Sequence, residues 1–252
     1  MSSARRRAPA VRPRKRPAER PGPEGGARDA NRRARTQDIA RAALELFLQR
    51  GVEAVSVDDV VRRAKVAKGS FYTYFGGLAE LLDALVEPVR DATLGALDRC
   101  EGTLRDATTR EALLAGYQTL ALELSATVLA HRDVTRLYLQ ERRAPRHGPS
   151  APVAVLAAEI DRRAVLLTDA AHAHGLLRPL AAKVTAAIVV GAVEHLLHRA
   201  LSGDDIGPLA EVPEVLLRVV VDGLAAPVSA GRDDGRAPEG GHDAARSAEA
   251  LG

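Results

Sequence analysis

The chain has 252 residues, a net charge of +3, and a composition that is 46% hydrophobic but only 3% aromatic, with no tryptophan. A core of Ala, Leu and Val suits close helix packing better than a β-sandwich. Cys100 is the only cysteine, which excludes an intramolecular disulfide and favours a reducing cytoplasm. No uninterrupted apolar run reaches the roughly 18 residues of a membrane span, so we expect no membrane contact.

The two ends of the chain differ from its middle in composition. Residues 1–35 hold twelve Lys or Arg and three Asp or Glu, a local charge of +9 that leaves −6 for the remainder. Basic runs and prolines cannot bury enough apolar surface to fold, so we predict a disordered basic arm over residues 1–32. Residues 226–252 are rich in Gly, Ala, Asp and Arg without periodicity, which predicts a disordered C-terminal tail.

Beyond the arm, the sequence predicts a first amphipathic helix. Its apolar residues recur with helical spacing, at Ile39, Ala42, Ala43, Leu46 and Phe47. Thr36 is the expected N-cap, and Gly51 stands where a helix ends in a left-handed residue. We therefore expect a helix between these two residues.

Ser56 predicts the start of a second, shorter helix. Its hydroxyl caps the helix, and Asp58 and Asp59 place carboxylates at the positive end of the helix dipole. The buried stripe of this helix is expected at Val57, Val60, Val61 and Ala64. A tight turn of Lys65, Val66 and Ala67 follows, with Val66 filling the junction to the next helix.

A third short helix is predicted over residues 67–75. Phe71 and Phe75 are four apart, so they share a face and point inward. The residues left largely outside are Ser70, Tyr72, Thr73 and Tyr74. Together with Lys68 they offer cationic, hydroxylic and phenolic groups, which phosphates and base edges accept as hydrogen-bond partners.

At these residues the sequence resembles the TetR family of bacterial transcriptional regulators. The resemblance lies in the helix ending at Gly51, the hydroxyl of Ser56, the turn at 66–70 and the aromatic run at 71–75. It implies an all-α fold with an N-terminal three-helix DNA-binding domain containing a helix-turn-helix over residues 33–84. A larger helical effector-binding and dimerisation domain is expected over residues 85–225.

The resemblance also implies a function and a set of DNA contacts. The expected protein is not an enzyme but a sequence-specific DNA-binding transcriptional regulator in the cytoplasm, a homodimeric repressor released by an unknown small-molecule effector. Its partner is double-stranded operator DNA. The expected DNA-binding residues are Ser56, Lys68, Gly69, Ser70, Tyr72, Thr73 and Tyr74.

Two departures from the family keep an alternative open. Gly76, Gly77 and Leu78 stand where a polar cap and a phosphate-binding lysine are usual, so that contact is missing or is supplied by the glycine amides. Residues 36–84 carry six Lys or Arg against seven Asp or Glu. The alternative is a small-molecule-binding or helical interaction module that has lost DNA binding. The basic arm, correspondingly, either follows the DNA backbone or is a dispensable extension.

The rest of the chain predicts successive helices and no strand. Their expected bounds are 78 to about 100 with Pro88 kinking or ending the first half, 110–131, 133–142, 152–174, 179 to about 202, and 212–223. The last two are apolar over more than one face, which a single subunit covers only in part. We therefore predict a homodimer through these two helices, about 180–202 and 212–223, with Gly191 at a close helix approach.

Polar residues set within apolar helices are the candidates for an effector site. They are Tyr117, His131, Tyr138, Glu141, Glu159 and Arg163. Leu- and Ala-rich helices favour an apolar or acyl ligand. His195 and His198 are three apart but lack a third ligand at metal-site spacing, so we expect no metal, no cofactor and no catalytic residues.

Overall fold

The computed structural model describes residues 26–175, 178, 180–207 and 211–224, and all the regular secondary structure in these residues is α-helical. The helices are α1 Ala27–Arg50, α2 Val57–Ala64, α3 Lys68–Tyr74, α4 Leu78–Asp106, α5 Arg110–Ala130, α6 Arg132–Glu141, α7 Ala151–His172, α8 Ala182–Ser202 and α9 Val212–Leu224. The all-α fold class is confirmed. The predicted C-terminal tail and residues 1–25 of the predicted arm lie outside the described residues. Residues 27–32, predicted as part of the disordered arm, belong to α1 instead.

The first helix begins earlier than the sequence suggested. It starts at Ala27, with Gly26 as its N-cap, so the prediction of Thr36 as the cap is wrong. Thr36 lies inside the helix, where its hydroxyl donates a hydrogen bond to the carbonyl of Arg32 at 3.1 Å. Because this bond satisfies the hydroxyl inside the helix, Thr36 does not need to lie at a helix start, although threonine is a common N-cap residue.

Pro88 does not interrupt α4, which continues through it to Asp106. Proline removes one backbone donor, which frees the carbonyl of Ala84 one turn earlier. Pro88 and Ala84 are both exposed, so water can satisfy that carbonyl. The prediction that Pro88 ends the first half of the helix is therefore wrong.

One apolar core joins the three N-terminal helices to the helices that follow. Its fully buried side chains include Phe47, Val60 and Phe71 from α1–α3, and it continues into Leu137 of α6 and Val153 of α7. Leu81, Leu82 and Val86 of α4 complete it. The helix-turn-helix segment thus packs directly on the larger helical part.

A second core holds α4, α5 and α7 together. It contains Leu97, Cys100 and Leu104 of α4, Leu113 of α5 and Leu167 of α7. Burial raises the pKa of the Cys100 thiol to about 12, and the thiol lies 3.5 Å from the Gly116 carbonyl. Cys100 is therefore a packed, protonated side chain without nucleophilic character.

The last two helices pack on different neighbours within the chain. α8 packs on α7 and α6, whereas α9 packs on α5. Both helices leave apolar side chains exposed, among them Ile188 of α8 and Val219 of α9. The predicted start of α8 near residue 179 moves to Ala182.

Two helices, α5 and α8, are long and apolar enough to cross a bilayer when one or two charges are tolerated. Length and composition are weak evidence for a span, because helices of soluble proteins pass the same test. Little of either helix is buried within the chain. Exposed apolar side chains include Leu122 on α5 and Val184 and Ile188 on α8.

Candidate nucleic-acid interface

The second helix is fixed at its start by a reciprocal cap. The Ser56 hydroxyl accepts a hydrogen bond from the amide of Asp59 at 3.2 Å, and the Asp59 carboxylate accepts one from the amide of Ser56 at 3.1 Å. The hydroxyl also donates to this carboxylate at 2.6 Å. These hydrogen bonds from Ser56 lower the pKa of Asp59. Ser56, a predicted DNA contact, is thus engaged within the protein.

The turn between α2 and α3 follows the predicted residues. Lys65 ends α2 in the left-handed conformation, with φ 55°, and the amide of Val66 donates to the carbonyl of Val61 at 3.0 Å. Val66 is half-buried against the N-terminal core. This turn sets the angle between the two helices.

The third helix divides into a buried and an exposed face. Phe71 is fully buried and Phe75 nearly so, with their rings 5.9 Å apart. Tyr72 is 54% exposed, and Thr73 lies beside it on the surface with its hydroxyl donating to the Gly69 carbonyl at 3.0 Å. Ser70 and Tyr74 are only half-exposed. The phenol of Tyr72 is therefore the largest group that α3 offers to a partner.

Gly69 has no structural requirement for glycine within the described chain. A Cβ atom added there meets no described atom within 4 Å. Glycine costs about 1 kcal/mol relative to alanine within a helix. The fold itself therefore does not explain Gly69. A partner that approaches α3 closely from outside would explain it.

Lys68, at the start of α3, is paired across the turn. Its ammonium lies 2.8 Å from a carboxylate oxygen of Asp58, and this hydrogen bond raises the pKa of Lys68. Both side chains are more than half exposed. A phosphate that binds Lys68 must therefore compete with Asp58.

The start of α4 shows how the glycines at 76 and 77 are used. The amide of Gly76 donates to the Glu80 carboxylate at 2.6 Å. A Cβ at Gly76 would lie 2.8 Å from that oxygen, so any other residue there would displace the exposed, flexible Glu80 side chain. The Gly76 amide is therefore already occupied, which counts against its serving as a substitute for the missing lysine.

The candidate effector residues make contacts at separate places within the protein. Tyr138 donates its hydroxyl to Glu194 at 2.8 Å, and burial raises its pKa to about 12. Tyr117 is partly buried near Cys100, and burial raises the pKa of its phenol. His131 forms the corner between α5 and α6, where its carbonyl accepts from the Thr135 hydroxyl at 3.0 Å.

The charged candidates are engaged by other protein groups. Arg163 bonds Asp98 at 2.6 Å and also pairs with Glu159. Hydrogen bonds from Arg162, and then from Arg163, lower the pKa of Glu159 to about 2. Glu141 is buried and faces the loop between α1 and α2, not the interior of the helical domain. Their role with an effector stays a prediction.

A cleft of about 340 Å³ lies between α7, α8 and the end of α6, and none of the six residues lines it. Its walls are Arg142, Arg143, Asp161, Val165, Lys183, Ala186, Ala187, Val190 and Gly191. Arg142 is mostly buried and pairs with Glu194 and Asp161. Sequence reasoning missed Arg142, because an arginine near the end of a helix carries no sign of a buried partner.

Comparison with known proteins agrees with the geometry of α1–α4. The profile of the family described as bacterial regulatory proteins, tetR family, matches residues 39–85. The HTH-type transcriptional regulator YuxN of Bacillus subtilis is 28% identical over 107 residues, which cover 42% of this chain and 35% of that protein. The transcriptional regulator AcuR of Cereibacter sphaeroides is 43% identical over 51 residues, 20% of this chain and 23% of its own. The chain thus spans about a third or less of these relatives.

Solved structures extend the likeness to the whole fold. NalD, the secondary repressor of the MexAB-OprM multidrug efflux pump in Pseudomonas aeruginosa, aligns with a TM-score of 0.61 at 19% identity, over 79% of this chain and all of NalD. FadR of Bacillus subtilis, solved in complex with stearoyl-CoA, aligns with a TM-score of 0.55 at 16% identity, over 75% of this chain and 98% of FadR. Residues 39–85 are thus similar to the family of bacterial regulatory proteins named for tetR, and the fold around them is similar to that of the solved structures.

Proposed function

We propose that the chain is a sequence-specific DNA-binding transcriptional regulator whose α3 enters the major groove. The observation that carries this proposal is the division of α3: Phe71 and Phe75 anchor it, while Lys68, Gly69, Tyr72 and Thr73 lie on the surface. A short helix held this way presents side chains to base edges without exposing its own core. Ser56, Ser70 and Tyr74 remain proposed contacts of lesser reach.

The proposed DNA contacts divide into contacts to the phosphate backbone and contacts to the base edges. Lys68 meets a phosphate, which fixes register, and Tyr72 and Thr73 reach the groove, which provides sequence information. The open space beside Gly69 supports a close approach of the DNA backbone. The proposed domain division places these residues at 33–84 and the effector-binding and dimerisation domain at 85–225. The basic residues at 1–32, of which those from Ala27 onward lie in α1, add salt-dependent affinity.

The proposed regulator acts as a homodimer through a face centred on α8. Val184 is 59% and Ile188 66% exposed. Large apolar side chains exposed close together on one helix are typical of an interaction surface. At Gly191 an added Cβ meets no described atom within 4 Å, so the described chain itself does not require glycine there. The proposed interface uses α8 together with α9, where Val215 and Val219 are likewise 55% and 67% exposed.

The proposed effect on transcription is repression in the cytoplasm, relieved by a small molecule. NalD, which shares the fold, is a repressor, and FadR has been solved with stearoyl-CoA. Together with the Leu- and Ala-rich helices, this supports an apolar or acyl effector. Such a ligand acts by binding the released state more tightly than the DNA-bound state.

A second candidate function is a helical module that has lost DNA binding. Two contacts favour it: Asp58 neutralises Lys68, and Glu80 occupies the Gly76 amide. Both reduce the positive groups available to phosphates. The two candidates differ in one measurable property, the affinity of the full chain for duplex DNA.

The test is fluorescence anisotropy of the full chain with a duplex from the region upstream of its own coding sequence and with a shuffled duplex. A regulator binds the first more tightly, whereas a module that has lost DNA binding shows no preference. Gly69→Ala sharpens the test, because it should raise stability by up to about 1 kcal/mol and still weaken DNA binding.

Gly102→Ala is the matched control for this variant. Gly102 also lies in a helix, and a Cβ there also meets no described atom within 4 Å. It should raise stability similarly and leave DNA affinity unchanged. Equal DNA affinity of the two variants would contradict the assignment of α3. A titration of the DNA complex with acyl-CoA esters of increasing chain length then tests the effector class.

A further inference from the structure

The helix-turn-helix segment is tied to the helical domain by a polar cluster that the proposed DNA contacts do not use. It consists of Glu53 in the loop after α1, Glu141 at the end of α6 and Ser150 at the start of α7, and we call it the junction clamp. Ser150 is fully buried and Glu141 is 8% exposed. Buried polar groups of this kind are costly unless their hydrogen bonds are made.

Glu141 reaches across to the N-terminal helices. Its Oε1 accepts a hydrogen bond from the backbone amide of Val52 at 3.2 Å, and the side-chain amide of Gln140 donates to the same oxygen at 3.1 Å. The Gln140 amide also donates to the carbonyl of Phe47 at 3.1 Å. Two adjacent residues of α6 thus hold the last turn of α1 and the loop that leads to α2.

Ser150 contacts both carboxylates from the start of α7. Its hydroxyl lies 2.9 Å from Oε1 of Glu53 and 3.3 Å from Oε2 of Glu141, and its backbone amide donates to Glu53 at 3.3 Å. A serine at a helix N-cap ordinarily accepts a hydrogen bond from an amide of the helix it starts. Ser150 is the N-cap of α7 but makes no such bond. Its hydroxyl is used between the domains instead.

The backbone at the clamp leaves room for the carboxylates. Gly51 and Gly148 both have φ of +80°, a region that side chains rarely adopt. A Cβ at Gly51 would lie 3.5 Å from Oε1 of Glu141, and one at Gly148 would lie 3.3 Å from Oε1 of Glu53. Each carboxylate therefore lies against a glycine of the opposite domain.

We propose that Glu141 is a positioning residue: through the junction clamp it fixes the orientation of the helix-turn-helix segment relative to the helical domain. The apolar contacts of Leu137 and Val153 with the N-terminal core are non-directional and hold the two parts together. Hydrogen bonds to a buried carboxylate are directional and select one angle. In a dimer, this angle sets the distance between the two α3 helices. This proposal rests on the proposed function.

The first experiment measures the orientation without DNA. Spin labels at Arg62→Cys in α2 and Asp169→Cys in α7, both exposed positions, report the distance between the two parts of one chain when labelled protein is diluted with unlabelled protein. We expect a narrow distance distribution for the otherwise unaltered chain and a broader one with Glu141→Ala. An unchanged distribution with Glu141→Ala would overturn the proposal even if the chain binds no DNA.

The second experiment measures the consequence for DNA. A duplex selected by the full chain from a random pool is compared with the same duplex carrying one inserted base pair between the half-sites. The unaltered chain should lose roughly tenfold in affinity on insertion, because half-site spacing is fixed by geometry. Glu141→Ala should lose roughly tenfold on the selected duplex and show a smaller insertion penalty, since one charged hydrogen-bonding group is removed.

Two further variants separate positioning from stability. Glu141→Gln keeps an oxygen for the Val52 amide, and its new amide can donate to the Ser150 hydroxyl, so it should retain the spacing preference. Asp133→Ala removes an exposed carboxylate from the same helix and should behave as the unaltered chain. A Glu141→Ala protein with normal affinity and the full insertion penalty would overturn the proposal. Absence of DNA binding in every variant, with the distance change present, would refute only the proposed function.

Discussion

The N-terminal helices and the helix α8 bury their apolar residues in opposite ways. Ile39, Phe47 and Phe71 are fully buried within one chain, whereas Ile188 of α8 is 66% exposed. Both regions are rich in apolar residues, but those of the first helix follow one face, whereas those of α8 extend over more than one face. The comparison teaches that the helix-turn-helix segment is complete in a single chain, while the exposed apolar face of α8 is suited to a second one.

The largest effect should come from breaking the complete region. Phe71→Ala removes a fully buried ring from the N-terminal core and should cost roughly 3–5 kcal/mol of unfolding free energy. Its neighbour Tyr72, 54% exposed, provides the matched control, and Tyr72→Ala should change stability by less than about 0.5 kcal/mol. Chemical denaturation measures both. Similar costs for the two variants would refute the assignment of inner and outer faces.

Substitutions on the exposed apolar face of α8 should change dimer formation and not the folding of the chain. Ile188→Asp places a charge on the proposed dimer face and should raise the dimer dissociation constant by roughly a hundredfold, with helical content unchanged. Leu122→Asp is the control, because Leu122 is 72% exposed on α5, away from α8. Sedimentation equilibrium distinguishes them. Dissociation by Leu122→Asp alone would move the interface to α5.

A moderate effect is expected at the cap of α2. Ser56→Ala removes the capping hydroxyl and should cost roughly 0.5–2 kcal/mol of unfolding free energy. Thermal melts of the two proteins measure it. A Ser56→Thr protein keeps the hydroxyl and should retain most of the stability. If its melting temperature equals that of Ser56→Ala, loss of the capping hydroxyl does not explain the destabilisation.

The same cap predicts a pH dependence. Hydrogen bonds from Ser56 lower the pKa of Asp59 below its ordinary value, so the stability they add is present above that ordinary value, about pH 4. It is lost as pH falls through the lowered pKa of the folded protein. Ser56→Ala should therefore lose less stability than the unaltered chain in this acid window. An equal loss of unfolding free energy with falling pH in Ser56→Ala and in the unaltered chain would contradict this account.

The smallest effect concerns the ion pair beside α3. Asp58→Asn frees Lys68 and should raise affinity for a shuffled duplex by roughly threefold at low salt, since exposed ion pairs are weak. In a Lys68→Ala background the same substitution should have less effect. If the gain is equal in both backgrounds, Asp58 acts by general repulsion of phosphates and not through Lys68.

The sequence predicted the helix-turn-helix well because its signals are local. Gly51 and the Lys65–Ala67 turn each depend on neighbours within a few residues, and each lies where it was expected. Two other local signals were misleading: Thr36 has the chemistry of a cap and Pro88 that of a helix break, yet the surrounding helix continues through both.

Partners distant in sequence were not predictable. Glu141 was expected to face an effector, but it contacts Val52, and Tyr138 contacts Glu194. Nothing in the periodicity of α6 indicates which helix lies opposite a given side chain. The pairing of α8 with α7 and of α9 with α5 was missed for the same reason, because all these helices are apolar and interchangeable by composition.

The most direct test of the DNA-binding proposal is the affinity of the full chain and of Tyr72→Ala for a selected duplex and for its shuffled counterpart. We expect the full chain to prefer the selected duplex, and Tyr72→Ala to lose roughly 1–3 kcal/mol on that duplex with little change on the shuffled one. A full chain that binds the two duplexes equally, or a Tyr72→Ala protein that keeps the whole preference, would contradict the assignment of α3 as the recognition helix.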